Sequence, residues 1–130
     1  MKATLPFPPK ELNPNKRHDR RAIAGIRAMY RDTCFYLTKQ ACKSWTPIEG
    51  PVALRVTFVQ PDERHRDVDN MLSASKSAID GFAQALGMND RQFKPLHVDW
   101  TRAKGAGAVI LEIHPLDVLT AIDQQMGVEP

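Results

Sequence analysis

Two aspartates one residue apart, Asp67 and Asp69, close a basic run in the stretch Pro61-Asp62-Glu63-Arg64-His65-Arg66-Asp67-Val68-Asp69-Asn70. Hard cations such as Mg²⁺ take oxygen ligands, often one or two carboxylates completed by water and substrate phosphate. An Asp-x-Asp pair at an element boundary can therefore share one ion. Arg64, His65 and Arg66 bring positive charge for the phosphate. The chemistry this predicts is metal-assisted phosphodiester hydrolysis. The carboxylates would hold one or two Mg²⁺ ions, which activate a water for in-line attack and neutralise charge on the phosphate oxygens. Plainer readings stand beside this one. Asp67 alone also reads as an ordinary helix N-cap, and His65-x-Asp67-x-Asp69 also spells an imidazole–carboxylate site for a transition metal.

The element that must position the pair is a helix. Val68, Leu72, Ile79, Phe82 and Leu86 recur at helical spacing with Met71 and Ala78 alongside, and Gly87 ends the run as a C′ residue. Asp69, Ser73, Lys76 and Asp80 fall on another face of this helix. Lys76 is thereby a candidate for fixed positive charge at a phosphoryl transition state, as is Arg66 beside the pair. Gly87-Met88-Asn89-Asp90-Arg91-Gln92 then forms a short turn carrying a third aspartate. If the helix runs unbroken, Leu72 to Leu86 alone spans about 21 Å and sets Asp90 far from Asp67 and Asp69. Either a second subunit or a turn that folds back must bring Asp90 to a common site.

Around this centre the chain alternates strand and helix. Ala3 to Phe7 reads as an edge strand stopped by Pro8-Pro9, followed by a polar, basic loop through His18. A helix is expected from about Ala22 to Ser44, and Val52 to Val59 reads as the strand that delivers the chain to the Asp-x-Asp stretch. Phe93 to about Lys104 reads as a strand with Leu96, Val98 and Trp100 facing one way. Lys104-Gly105-Ala106-Gly107 is a flexible turn, and Ala108 to Ile113 a buried strand paired with its predecessor as a hairpin. The order β-α-β-α-β-β predicts an α+β domain over residues 1–115, with a small mixed sheet and two main helices. Residues 116–130 read as a short helical tail.

A length of 130 residues and 42% hydrophobic composition bound this to one globular domain. The formal net charge is +3, and the basic residues crowd the first quarter of the chain. Lys16, Arg17, Arg20 and Arg21 there, with Arg64, Arg66, Arg102 and Lys104, read either as a nucleic-acid-binding set or as a solvated face. Cys34 and Cys42, eight residues apart in one predicted helix, are roughly 12 Å apart by helical rise and too far to bridge. They read as buried thiols, and the lack of Cys-x-x-Cys removes zinc sites of that type. No signal-peptide core or membrane-length apolar run is present, which predicts a cytoplasmic protein with no membrane partner. His97 and His114 fall in predicted strands and read as structural. Trp45 and Trp100 read either as core or as stacking surfaces for a base.

Four stretches together resemble the RusA-type Holliday junction resolvases of bacteria and their phages. They are Leu5-Pro6-Phe7-Pro8-Pro9, Tyr30-Arg31-Asp32, Arg66-Asp67-Val68-Asp69-Asn70 and Gly87-Met88-Asn89-Asp90-Arg91-Gln92. Their order covers the chain to about His114. The resemblance implies a homodimeric, Mg²⁺-dependent endodeoxyribonuclease, with Mn²⁺ a substitute and no small-molecule cofactor. Such an enzyme binds four-way junction DNA and cuts two strands symmetrically in recombination and repair. It also implies that Asp67, Asp69 and Asp90 are the essential carboxylates. The family pattern places a lysine four residues after the second aspartate; Ser73 stands there, and Lys76, three residues further on, is its candidate substitute. Two rival readings are a junction-binding module that does not cut, and a metal-dependent nuclease acting on RNA or duplex DNA.

Overall fold

Leu54, Val56 and Phe58 are fully buried and alternate with half-buried Arg55, Thr57 and Val59. This period-two pattern makes β2 (Val52–Gln60) the strand the sheet is built on. A computed structural model describes residues 1–14, 19–114 and Leu116. Its elements run β1 (Lys2–Pro6), α1 (Arg20–Ala41), β2, α2 (Val68–Ala74), α3 (Lys76–Ala85), β3 (Phe93–Arg102) and β4 (Ala108–His114). Short 3-10 turns lie at Lys10–Leu12 and Asp90–Gln92. The class is α+β, as the order of patterns predicts. The expected tail from Pro115 lies outside the described residues, save Leu116.

The four strands lie in the order β1-β4-β2-β3, with β2 parallel to β3 and antiparallel to β4, and β1 antiparallel to β4. The expected hairpin between the last two strands does not form. β4 crosses to the far side of β2, where Val109, Leu111 and Ile113 extend the buried face of Val56 and Leu54. β3 takes the edge, a position that tolerates Pro95, whose nitrogen has no hydrogen to give a ladder. A parallel β2–β3 pair needs a long crossover, and the two helices after β2 supply it.

α1 and α3 pack against each other at backbone distance. A Cβ on Gly81 would strike the Arg31 carbonyl oxygen and lie 3.1 Å from the Phe35 nitrogen, so glycine is what lets these helices approach. Phe82, fully buried beside Gly81, carries this contact into the core. Burying such a ring stabilises by roughly 1.5–3 kcal/mol. α1 opens on Asp19, whose carboxylate accepts from the Arg21 amide at 3.0 Å. It is tied to β1 by the Tyr30 hydroxyl, which donates to the Pro6 carbonyl at 2.6 Å. Burial raises the Tyr30 pKa, so the hydroxyl stays protonated as this donor.

The central helix is broken, where the apolar spacing predicts one run. Ser75 sits at φ −93°, ψ 0°, off the helical well, between α2 and α3. The joint stays hydrogen-bonded, with the Ser75 amide on the Met71 carbonyl and the Ile79 amide on that of Ser75. Serine is a weak helix former because its hydroxyl competes for the backbone. Gly87 ends α3 at φ +66°, and the Met88 amide reaches back to the Ala83 carbonyl at 2.9 Å, which is the predicted C′ role.

Cys34 and Cys42 are both free and buried, as expected. Burial pushes the Cys34 thiol up to about 12, so it stays protonated and unreactive.

Candidate active site

The loop that delivers Asp67 is held by one arginine. Arg66 donates to both carboxylate oxygens of Asp62, at 2.8 and 3.2 Å, to Gln60 Oε1 at 3.1 Å and to the Arg64 carbonyl at 3.3 Å. Its guanidinium also lies 5.2 Å from the centre of the Phe7 ring. Bonds from the Arg66 side chain, then from the Arg64 amide, hold the Asp62 carboxyl down to about 2. Arg66 therefore fixes the geometry of residues 60–66 and packs them on the end of the first strand.

Asp67 then occupies the N-cap of α2, the plain position weighed for it, yet its side chain makes no capping hydrogen bond. The exposed carboxylate instead meets His65 Nε2 at 3.2 Å. Asp69, in the first turn, is exposed as well. Two hard-oxygen donors thus face solvent at one helix start, which suits a cation completed by water and phosphate.

Asp90 stands on a turn built to hold it. Asn89 Oδ1 accepts from the Arg91 amide and Gln92 Oε1 from the Asn89 amide, both at 2.9 Å, a reciprocal capping box. The Gln92 amide group donates onward to the carbonyls of Ile48 and Gly50, at 2.8 and 2.9 Å, pinning the turn to the loop before β2. This turn folds back along α3, so that Asp90 Oδ2 lies 3.5 Å from Lys76 Nζ at the helix start. The same ammonium is 3.6 Å from Asp80 Oδ1. Asp90 is therefore not stranded at the far end of an unbroken helix. The structure does not bring all three aspartates together within one chain. Among the described residues, no three His, Cys, Asp or Glu side chains form a group able to hold a metal.

A cleft of about 390 Å³ opens beside Asp67. Phe7, Pro8 and Pro9 contribute apolar surface from the N-terminal side, and Met71 and Ala74 from α2. Lys10, Arg64 and His65 line it with positive or titratable groups, and Asn13 and Asn70 with carboxamides. Spacing alone does not mark Lys10 or Met71 as cleft residues, whereas Phe7 and Asn70 fall within stretches that carry the resemblance. The clue lay in Pro8-Pro9, a rigid pair directly before a basic loop.

Of the remaining expected contacts, Arg20 and Arg21 open α1 and are exposed, as are Arg64, Arg102 and Lys104. Arg102 bonds Glu63 at 3.1 Å, tying the end of β3 to the loop of the pair. Lys16 and Arg17 lie outside the described residues. Trp45 is anchored by its indole N–H, which donates to the Leu86 carbonyl at 2.8 Å, whereas Trp100 packs on Phe58 and stays 38% exposed. His97 and His114 lie in β3 and β4, and His114 is 3.7 Å from Glu112. No helix among the described residues is long and apolar enough to cross a membrane.

No family model matches the sequence. An uncharacterized protein of Xylella fastidiosa (strain Temecula1) is 34% identical over 127 residues, covering 94% of this chain and 77% of the relative. At that identity and coverage, the chain belongs to one family with the Xylella fastidiosa protein.

Proposed function

We propose that this chain is a RusA-type resolvase, a structure-specific endodeoxyribonuclease that cuts four-way DNA junctions in the cytoplasm as a homodimer. The observation that carries the reading is the setting of Asp67. Its carboxylate makes no cap bond, faces solvent two residues from Asp69, and lines a cleft shared with Lys10, Arg64 and His65. Carboxylates set among cations on one cleft suit a phosphodiester.

Asp67 and Asp69 are the residues that would hold Mg²⁺, or Mn²⁺ in its place, and the ion would supply an activated water and charge neutralisation at the phosphate. Lys10 and Arg64 draw the strand in, His65 orients the Asp67 carboxylate, and Arg66 holds the loop. Lys76 lies beside Asp90, and the resemblance would have its ammonium meet the charge that builds on the phosphate oxygens. Two-fold symmetry gives two such sites for the two equivalent strands of a junction.

A second reading, a junction-binding protein that does not cut, draws support from the ion pair that already engages Asp90 with Lys76. One experiment separates them. The protein is offered a mobile four-way junction, linear duplex and single-stranded RNA in parallel, with Mg²⁺ or Mn²⁺, beside an Asp69→Asn control. Paired nicks in the junction alone, absent from the control, support the resolvase. Junction binding without nicks selects the silent module, and RNA or duplex cutting selects another nuclease.

A further inference from the structure

We infer that the cleft beside Asp67 receives one unstacked nucleobase of the strand being cut, next to the phosphate at Asp67 and Asp69. This rests on the DNA-cleaving reading above and names what that site recognises besides phosphate.

The mixed lining selects the ligand. A phosphate makes no use of Phe7, Pro9, Met71 and Ala74, and an apolar molecule makes no use of Lys10 and Arg64. A nucleotide joins a flat, largely apolar base to an anionic phosphate and satisfies both halves at once. The volume agrees. About 390 Å³ lies at the small end of ligand clefts, suited to a single base with its sugar rather than a base pair.

The walls are preformed. Phe7 is held between Arg66, 5.2 Å from its ring centre, and the backbone of Gly107, where a Cβ would come within 2.9 Å of the ring. Gly107 adopts φ +77°, a conformation that favours glycine, so the close approach and the backbone agree on the residue. Pro8 and Pro9 have fixed φ angles. Ordering such a wall costs little on binding. Asn70 stands three residues after Asp67 at the start of α2 and lines the same cleft, where its carboxamide can both donate to and accept from a base edge. Unstacking costs least where continuous stacking is already interrupted, so a cleft that demands an unstacked base favours a branch point over intact duplex.

The test places 2-aminopurine, whose fluorescence rises on leaving the stack, at each position flanking the branch of a four-way junction. Saturation is followed separately by anisotropy of a dye on one arm, without divalent metal. No Trp or Tyr lines the cleft to quench the base. The expected result is a rise of roughly threefold or more at one position, lost in Ala74→Met or in Asn70→Phe, each of which fills the cleft. Using both variants guards against a misfolded one, recognised by its circular dichroism melt. No rise at any position under saturation overturns the inference, as does a rise that survives in a folded, cleft-filled variant. Cutting in Mg²⁺ is scored on the same junctions. A rise without cutting sinks the nuclease reading and leaves the cleft assignment standing, and cutting without a rise does the reverse.

Discussion

Lys76 Nζ lies 3.5 Å from Asp90 Oδ2, although fourteen residues and most of a helix separate the two in sequence. Asp80 shares the same ammonium at 3.6 Å. Lys76 is 69% exposed in its side chain, and exposed ion pairs contribute at most about 1 kcal/mol, so fold stability does not explain the arrangement. What it does is gather a cation and a carboxylate from two elements at one spot, with the turn of Asp90 locked by Asn89 and Gln92.

If the Lys76 ammonium acts on the transition state, Lys76→Ala lowers single-turnover cleavage by about tenfold or more and leaves junction affinity unchanged. An interaction made only in the transition state shows in the rate and not in ground-state binding. A Ser73→Lys, Lys76→Ser exchange, which gives the lysine spacing of the RusA-type resolvases, recovers part of the loss. Unchanged cleavage by Lys76→Ala would move the catalytic charge to another group.

Asp67→Asn and Asp69→Asn are each expected to abolish cutting while junction affinity holds or rises, and Asp90→Asn to do the same if the resemblance extends to the third carboxylate. Each removes a negative charge that repels DNA and preserves side-chain volume. Retained cleavage by Asp90→Asn would leave the pair at the start of α2 as the whole carboxylate set, with Asp90 serving only to hold Lys76.

Local periodicity made the element types readable. The α+β order, the alternation of β2 and the C′ role of Gly87 all follow from spacing within ten or so residues. Strand partners do not. β3 and β4 are five residues apart and looked like a hairpin, but burial decides pairing, and only Pro95 hinted that β3 belongs at an edge. The break at Ser75 carries no glycine or proline to announce it. The cleft was hidden because its two sides, Phe7–Pro9 and Met71–Ala74, lie more than sixty residues apart in the chain and meet only once the sheet is assembled. Asp62 and Arg66 were readable in principle, since an acid and a base four residues apart can pair across one turn of chain.

Two glycines should respond to the same substitution with opposite signs. Gly81→Ala drives a methyl into the Arg31 carbonyl on α1, and overpacking of this kind costs about 1–3 kcal/mol. Gly25→Ala, on the exposed face of α1 with nothing within 4 Å of the new methyl, stabilises by about 0.4–1 kcal/mol through the unfolded chain. Urea unfolding of the two variants checks both signs. A neutral Gly81→Ala would mean that α1 and α3 do not pack this closely.

Junction binding is expected to weaken steeply with salt, because each neutralised phosphate releases condensed counterions at a slope of about −0.9 per contact. Replacing Lys10, Arg20, Arg21 and Arg64 together by Gln should flatten the plot of log K against log salt. A slope unchanged by these replacements would make them a solvated face and shift the DNA contacts to other cations.

The clip between Arg66 and Asp62 makes the acid limb of the site's stability predictable. The ordinary Asp value is 3.8, and in the fold this carboxyl is held down to about 2, chiefly by the Arg66 side chain. A depressed carboxyl stabilises the folded loop fully above about pH 4 and loses that contribution as pH falls through about 2, where the native state must also take up the proton. The group is exposed, so the effect belongs to the loop more than to global unfolding. Carbon-detected NMR of the Asp62 carboxyl should therefore show a midpoint near 2, moving back towards 3.8 in Arg66→Met, which keeps an unbranched side chain and removes the guanidinium that bonds Asp62 and lies over Phe7. The same variant should also cut poorly at neutral pH, because the loop that presents Asp67 has lost its anchor while both carboxylates of the pair remain. A wild-type Asp62 that titrates near 3.8 would show that Arg66 does not hold the loop in solution.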